Sequence, residues 1–260
     1  MRLTPWLPWL LVTSSACRKI EPVPEELDAL VHYLWAEMAS GEEEQILAAV
    51  DNLATAVDAD TLDEAILEGE VSDLTADEIA FIDRRDADPA DATGLLLADR
   101  VACSQRGFER IIAHPDQDEL YVGVYDSYER YDMTSKKDFL DGTTQELTWK
   151  LRYSSSVIGA AYTVNSSTLV RRVDDVVLVR AHMLEPATFD NEDSNNFLTQ
   201  DYHLEIYWPG EGDLNHVYGL WKDTKMLGLE DEDESVQRIT LDKMLQWDEG
   251  TGELCAEGLP

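Results

Sequence analysis

The chain has 260 residues, enough for one large domain or two small ones around a buried core. At 44% hydrophobic and 8% aromatic residues it is no disordered polyacid, although 54 acidic residues face 20 basic ones and the net charge is -34. The basic residues are scattered, with only pairs such as Lys136-Lys137 and Arg171-Arg172, which excludes nucleic-acid binding because that needs clustered cations to displace counterions.

In chain order, Met1-Arg2 is a short positive region and Leu3 to Val12 an apolar stretch too short to span a bilayer. Thr13-Ser14-Ser15-Ala16 is a small-residue cleavage region, so residues 1–16 are expected to be a signal peptide. Cys17 follows at once, and the junction resembles the lipobox of bacterial lipoproteins, in which that cysteine receives a diacylglycerol before cleavage. The resemblance implies lipidation at Cys17 and a membrane partner reached through the anchor. Arg18 rather than Asp after the cysteine implies the outer membrane. Ser14 departs from the aliphatic residue usual at its position, and Ser14-x-Ala16 also satisfies an ordinary signal peptidase, so periplasmic or secreted protein is the alternative.

Residues 17–24 read as a tether. From there to Cys103 the spacing is helical. Val23, Leu27, Leu30, Val31, Leu34, Trp35 and Met38 share one helix face, which is read as core. Ser40-x-x-Glu43 has capping-box spacing ahead of a second stripe, Ile46, Leu47, Val50, Leu53 and Val57. Leu62, Ile66 and Leu67 predict a third helix, and Thr75-x-x-Glu78 caps one containing Ile79 and Ile82. Asp88-Pro89 opens a last helix running to Cys103.

From Phe108 the period becomes two. Residues 119–131, 145–153, 157–164, 168–173, 176–183, 202–208 and 215–221 are predicted strands, separated by turn sequences that include Asn165-Ser166-Ser167, Asp174-Asp175 and Pro209-Gly210-Glu211-Gly212-Asp213. Ile239, Leu241, Met244, Leu245 and Trp247 predict a short closing helix. The expected fold is α+β: a helical layer over residues 25–103, then a curved, partly closed antiparallel sheet of about seven strands over 104–260, packed as one unit. Leu30, Leu34, Ile46 and Val50 should meet one another, with the helices on the sheet's inward face. In element order the region from Phe108 to Trp247 resembles helix-grip folds that hold apolar ligands, although the long C-terminal helix of such folds has little support in the sequence.

If Cys17 is acylated, Cys103 and Cys255 remain as an even pair in an oxidising compartment and are expected to form a disulfide. Their spacing suits neither a zinc site nor a thioredoxin motif. Asp201, His203 and Glu205 alternate along one strand, with His216 on the next, but no HExxH accompanies them. They are read as a surface polar stripe, and no metal is assigned. In the aromatic run, Tyr121 and Tyr125 would share one strand face and Tyr128 the other. No GxSxG, GxGxxG or GxxxxGK[ST] is present, so no catalytic residue and no cofactor are assigned. A non-enzymatic envelope protein with a binding or structural role, holding an apolar ligand in a sheet cavity, is the preferred reading. An envelope hydrolase acting through carboxylates that cannot be singled out is the alternative.

Overall fold

The computed structural model describes residues 22–258 apart from 60, 61, 63–65, 83, 85, 158, 159, 192–194 and 227, so the expected signal peptide and Cys17 lie outside the described residues. Helices α1 (Leu27–Glu37) and α2 (Glu43–Ala56) form where the apolar spacing puts them, burying Leu30, Val31, Leu34 and Trp35 on one and Ile46, Ala49, Val50 and Leu53 on the other. The Ser40-Glu43 box does not form. Glu42 is the N-cap of α2, without a side-chain cap, and the acidic first turn of Glu43 and Glu44 complements the helix dipole instead.

Between residues 62 and 103 the expected helices are largely absent. Strand β1 (Leu67–Glu70) stands in place of the third helix. The Thr75-Glu78 box does form, with Glu78 N–H donating to Thr75 Oγ1 at 3.3 Å and Thr75 N–H to Glu78 Oε2 at 2.7 Å, but it closes a turn. Asp88 caps a single 3-10 turn, Pro89–Asp91, and the chain then enters β2 (Thr93–Val101) where a helix was expected. β2 is almost continuously buried because it lies inside the sheet with both faces covered. A strand so placed carries an unbroken apolar run, Leu95-Leu96-Leu97-Ala98, whose period does not separate it from a helix.

The next segment is helical rather than extended, with α3 (Gln105–Ile112) and α4 (Gln117–Leu120). Ser104 caps α3, accepting from Gly107 N–H at 3.2 Å. Of the strand expected over residues 119–131, only β3 (Ser127–Tyr131) is present, followed by α5 (Lys136–Leu140). β4 (Glu146–Val157) and β5 (Ala160–Val173) are longer than predicted. Asn165-Ser166-Ser167 is not a turn but the middle of β5, where Ser166 pairs with Leu151 on one side and Met183 on the other. The Asp174-Asp175 reversal joins β5 to β6 (Val176–Met183) as expected, with Asp174 at φ 54°, which a two-residue hairpin requires. β7 (Thr188–Phe189), β8 (Phe197–Pro209), β9 (Leu214–Met226) and β10 (Leu229–Glu230) follow.

The chain closes on α6 (Glu234–Glu257), 24 residues where a short helix was predicted, so the long closing helix of a helix-grip arrangement is present. Its last third contains Gly250 and Gly252. A Cβ at Gly252 would sit 3.4 Å from that of Ala102, so the small residue sets how closely the helix meets the end of β2.

The fold is therefore α+β, with ten antiparallel strands rather than seven. The main path runs β1-β2-β9-β8-β6-β5-β4-β3, with β10 added to β9 and β7 to β5, and it stays open and curved. Alternation divides it into two faces. Leu204, Ile206, Tyr202, Val217, Trp221, Leu96 and Leu178 point to one side and form a single cluster with Leu30, Leu34, Ile46 and Val50 of α1 and α2. A Cβ at Gly219 would come 2.9 Å from Val31 Cγ1, so α1 lies against the backbone of β9 there. Helix α1 has no basic residue in its last turn, and sheet arginines supply the donors for its end. Arg180 donates to Trp35 O at 2.7 Å, and Arg171 to Met38 O at 2.8 Å and Gly41 O at 3.1 Å. The opposite face meets α3 and α6, through Val101, Phe108, Ile111, Leu147, Trp149, Val179 and Tyr207 in one cluster and Leu97, Leu220, Leu241 and Met244 in another.

Candidate ligand-binding site

On the α6 side, α6 packs over β2 and α3, and Trp247 reaches across to stack on Tyr121 at 4.1 Å between ring centroids. Tyr125 approaches the edge of Trp247 at 6.2 Å and that of Tyr153 on β4 at 5.5 Å, and lies 4.8 Å from Tyr128. These aromatic residues bridge the helix to the far strands. Tyr121 and Tyr125 are not strand residues, since α4 ends at Leu120 and a turn follows, so the two-face arrangement expected of them does not apply. Tyr121 instead hydrogen-bonds Thr251 of α6 through its hydroxyl at 2.7 Å.

Beneath this bridge lies the middle of β8. Asp201, His203 and Glu205 occupy alternate positions on the α6 face, as the spacing implied, but they are an interior stripe and not a surface one. Their side chains keep 16%, 27% and 13% of their accessible surface, whereas Tyr202, Leu204 and Ile206 between them keep none. His203 Nδ1 is 3.4 Å from Asp201 and its Nε2 3.8 Å from Glu205, with Tyr218 on the neighbouring strand at 5.6 Å between rings. Lys222 Nζ is 3.7 Å from Asp201. Burial works against charge on His203, but Asp201 and then Glu205 outweigh it and hold the imidazole above its usual range. Burial likewise opposes the charge of Asp201, and Lys222 and His203 outweigh that, holding its carboxyl below the usual range. Burial and the neighbouring carboxylates push the Tyr218 hydroxyl well up, and burial with Tyr162 and Asp201 does the same to Tyr153, so both stay neutral donors. Asp201, His203 and Glu205 are thus largely enclosed yet keep accessible surface, with the rings of Tyr153 and Tyr218 near them.

His216 does not join them. It lies across from Tyr207 on β8 and Asp99 on β2, and stacks on the Tyr207 ring at 4.1 Å. Its Nδ1 is 2.9 Å from Asp248 Oδ2 of α6 and 3.6 Å from Asp99 Oδ1. Asp99, His216 and Asp248 are 6%, 3% and 4% exposed. Burial would strip the imidazole of its proton, but Asp248 and Asp99 outweigh it and raise the group to about 10. Burial raises the Asp248 carboxyl to about 6, helped by Asp99 and Glu205 and opposed by His216. Nothing in the sequence marks this cluster, because its members stand on three elements with no shared spacing.

Cys103 and Cys255 are brought to disulfide distance, with Cα atoms 5.3 Å apart, tying the end of α6 to the loop after β2. No helix of the described residues is long and apolar enough to cross a membrane.

No protein-family model matches the sequence, and no curated protein matches it. Similar solved structures include a STAR-related lipid transfer protein from Xanthomonas axonopodis, at 10% identity over 75% of this chain and 93% of that one, TM-score 0.41. A START superfamily protein from Mycobacterium smegmatis is similar at 13% identity over 62% and 97%, TM-score 0.41. The lipid transfer and protein localization domain of human StarD13 is similar at 8% identity over 80% and 97%, TM-score 0.39.

Proposed function

We propose that this chain is an exported, lipid-anchored envelope protein that acts by binding rather than catalysis and holds a small amphipathic ligand between α6 and the sheet. The observation that carries the binding reading is the contrast within β8: Asp201, His203 and Glu205 stay accessible under α6 while the residues between them are sealed. An apolar or aromatic body fits against Tyr125, Tyr153 and Tyr218, and the charged stripe orients a polar head. Purified protein should bind a neutral fluorescent amphiphile such as N-phenyl-1-naphthylamine saturably. His203→Trp, which fills the space, should remove that binding while leaving the circular dichroism spectrum unchanged. Equal binding by the variant, or none by the native chain, would refute the site.

The anchor rests on the Ala16-Cys17 junction and the signal before it, and Arg18 favours the outer membrane over the inner. Nucleic acid is not a partner in this reading. Native protein should partition into detergent with an acylated N-terminal Cys17, and Cys17→Ser should release it or leave it unprocessed. A native chain found wholly in the soluble fraction with an unmodified cysteine would turn the reading to plain secretion.

A further inference from the structure

Among the described residues, Asp99, His216 and Asp248 form a buried cluster of ionisable side chains on the α6 side, and the 2.9 Å hydrogen bond between His216 Nδ1 and Asp248 Oδ2 satisfies it only in part. One imidazole faces two carboxylates, and Glu205 lies close enough to add to the negative field at Asp248. Asp99 Oδ1, Asp248 Oδ1 and His216 Nε2 are buried with no hydrogen-bond partner. Leaving such atoms bare in the interior is costly, and a buried charge without its counterion more so. Two carboxylates share a single imidazole, so negative charge is in excess there even with the ring protonated, and Asp99 Oδ1, which faces His216 Nδ1, has no hydrogen-bond partner.

We propose that Asp99, His216 and Asp248 bind one divalent transition-metal ion of the zinc class, clamping the closing helix to the sheet. One atom from each residue lies within 4.8 Å of the other two. Of the separations from His216 Nδ1, the 3.6 Å to Asp99 matches the roughly 3.3–3.6 Å edge of a tetrahedron with metal–ligand bonds of about 2.0–2.2 Å, and the 2.9 Å to Asp248 needs to open by about half an ångström. Imidazole and carboxylate are the ligands such an ion takes, and a fourth position remains for water. A 2+ ion bound by two carboxylates and a neutral imidazole is also charge-neutral, which is what the surroundings lack. Because β2, β9 and α6 each contribute one ligand, the site is complete only after α6 has docked, and metal binding should therefore stabilise the docked helix. The proposal does not depend on the amphiphile reading.

The test uses the full mature chain, stripped with EDTA, desalted and given zinc chloride alone. About one zinc per chain should survive a second desalting, the thermal midpoint should rise relative to the EDTA-treated sample, and cobalt in place of zinc should give a visible absorption band. Asp99→Asn keeps the shape of the side chain and should weaken zinc binding at least about tenfold. Asp248→Asn should do the same and serves if the first variant folds poorly. A native chain with the same midpoint in zinc and in EDTA, and no retained metal, holds only a buried ion pair, and the proposal fails. It also fails if both asparagine variants keep native affinity, or if zinc is lost on His203→Ala instead, which would move the ion to the β8 stripe.

Discussion

The two faces of the sheet are made by alternate residues of the same strands, yet they are packed differently. Against α1 and α2 one continuous apolar cluster covers the face. Trp35 and Trp221 meet edge to face at 5.5 Å, both are fully buried, and Trp221 donates its indole N–H to Ser72 O at 2.7 Å. Against α6 the same strands present Asp201, His203, Glu205, Tyr218 and Lys222, which keep accessible surface, and contact with the helix falls at the margins through Leu241, Met244, Trp247 and Thr251. The α1–α2 side is one continuous apolar cluster, whereas the α6 side divides its apolar burial among separate clusters with a polar stripe among them. The contrast separates the face that should carry most of the stability from the one proposed to bind, and mutation can break it.

The largest effect should come from the apolar α1–α2 face. Trp221→Ala should lower the unfolding free energy by about 3–5 kcal/mol, read by urea titration at neutral pH. A loss under about 1 kcal/mol would mean the two faces are not so different. Next is the tie of α6 to the sheet. Replacing Cys103 and Cys255 together by Ser should cost about 2–5 kcal/mol, and non-reducing peptide mapping of native protein should recover the two peptides linked. Free thiols at both positions in envelope-derived protein would exclude the bridge.

A smaller, pH-dependent effect belongs to His182, which sits on the α1 side with its ring 5.5 Å from Phe81. Burial first, then Arg180 and His203, depress it to about 4 from an ordinary 6.5. A depressed folded value means that the neutral ring contributes stability above about pH 6.5, and that this contribution is lost as pH falls toward and through about 4. The stability difference between native protein and His182→Gln should therefore shrink between pH 6.5 and 4, and a constant difference would contradict the shift. The smallest effect on stability is expected in the polar stripe of β8. Glu205→Gln should move the unfolding free energy by less than about 1 kcal/mol while changing amphiphile affinity, and a larger destabilisation would show that this face is structural after all.

The sequence made the first two helices, the central hairpins and the cysteine pairing legible because each rests on local spacing or simple arithmetic. β2 was not legible as a strand, since Leu95-Leu96-Leu97-Ala98 is buried on both faces and carries no alternation. The polar stripe of β8 is visible in the sequence as a period of two, but its place on the covered face is not. A polar-lined interior and a solvated surface produce the same alternation, and only the covering helix distinguishes them. The closing helix is longer than its apolar spacing indicates, because the last third of it carries two helix-weakening glycines, Gly250 and Gly252. Asp99, His216 and Asp248 were out of reach because tertiary contact alone brings them together.

Gly250 and Gly252 also bear on the order in which the molecule is assembled. Each glycine weakens an isolated helix by about 1 kcal/mol relative to alanine, so the final two turns of α6 have little tendency to form alone. They gain their helical form by lying on Ala102 and Tyr121, which must already be in place. Cys255 therefore meets Cys103, 152 residues earlier, only at the end of folding, when β2 and β9 are already paired. Oxidation of that pair would then act as a latch applied to a finished sheet, and a chain whose sheet has mispaired would keep its last cysteine free for an oxidoreductase to find.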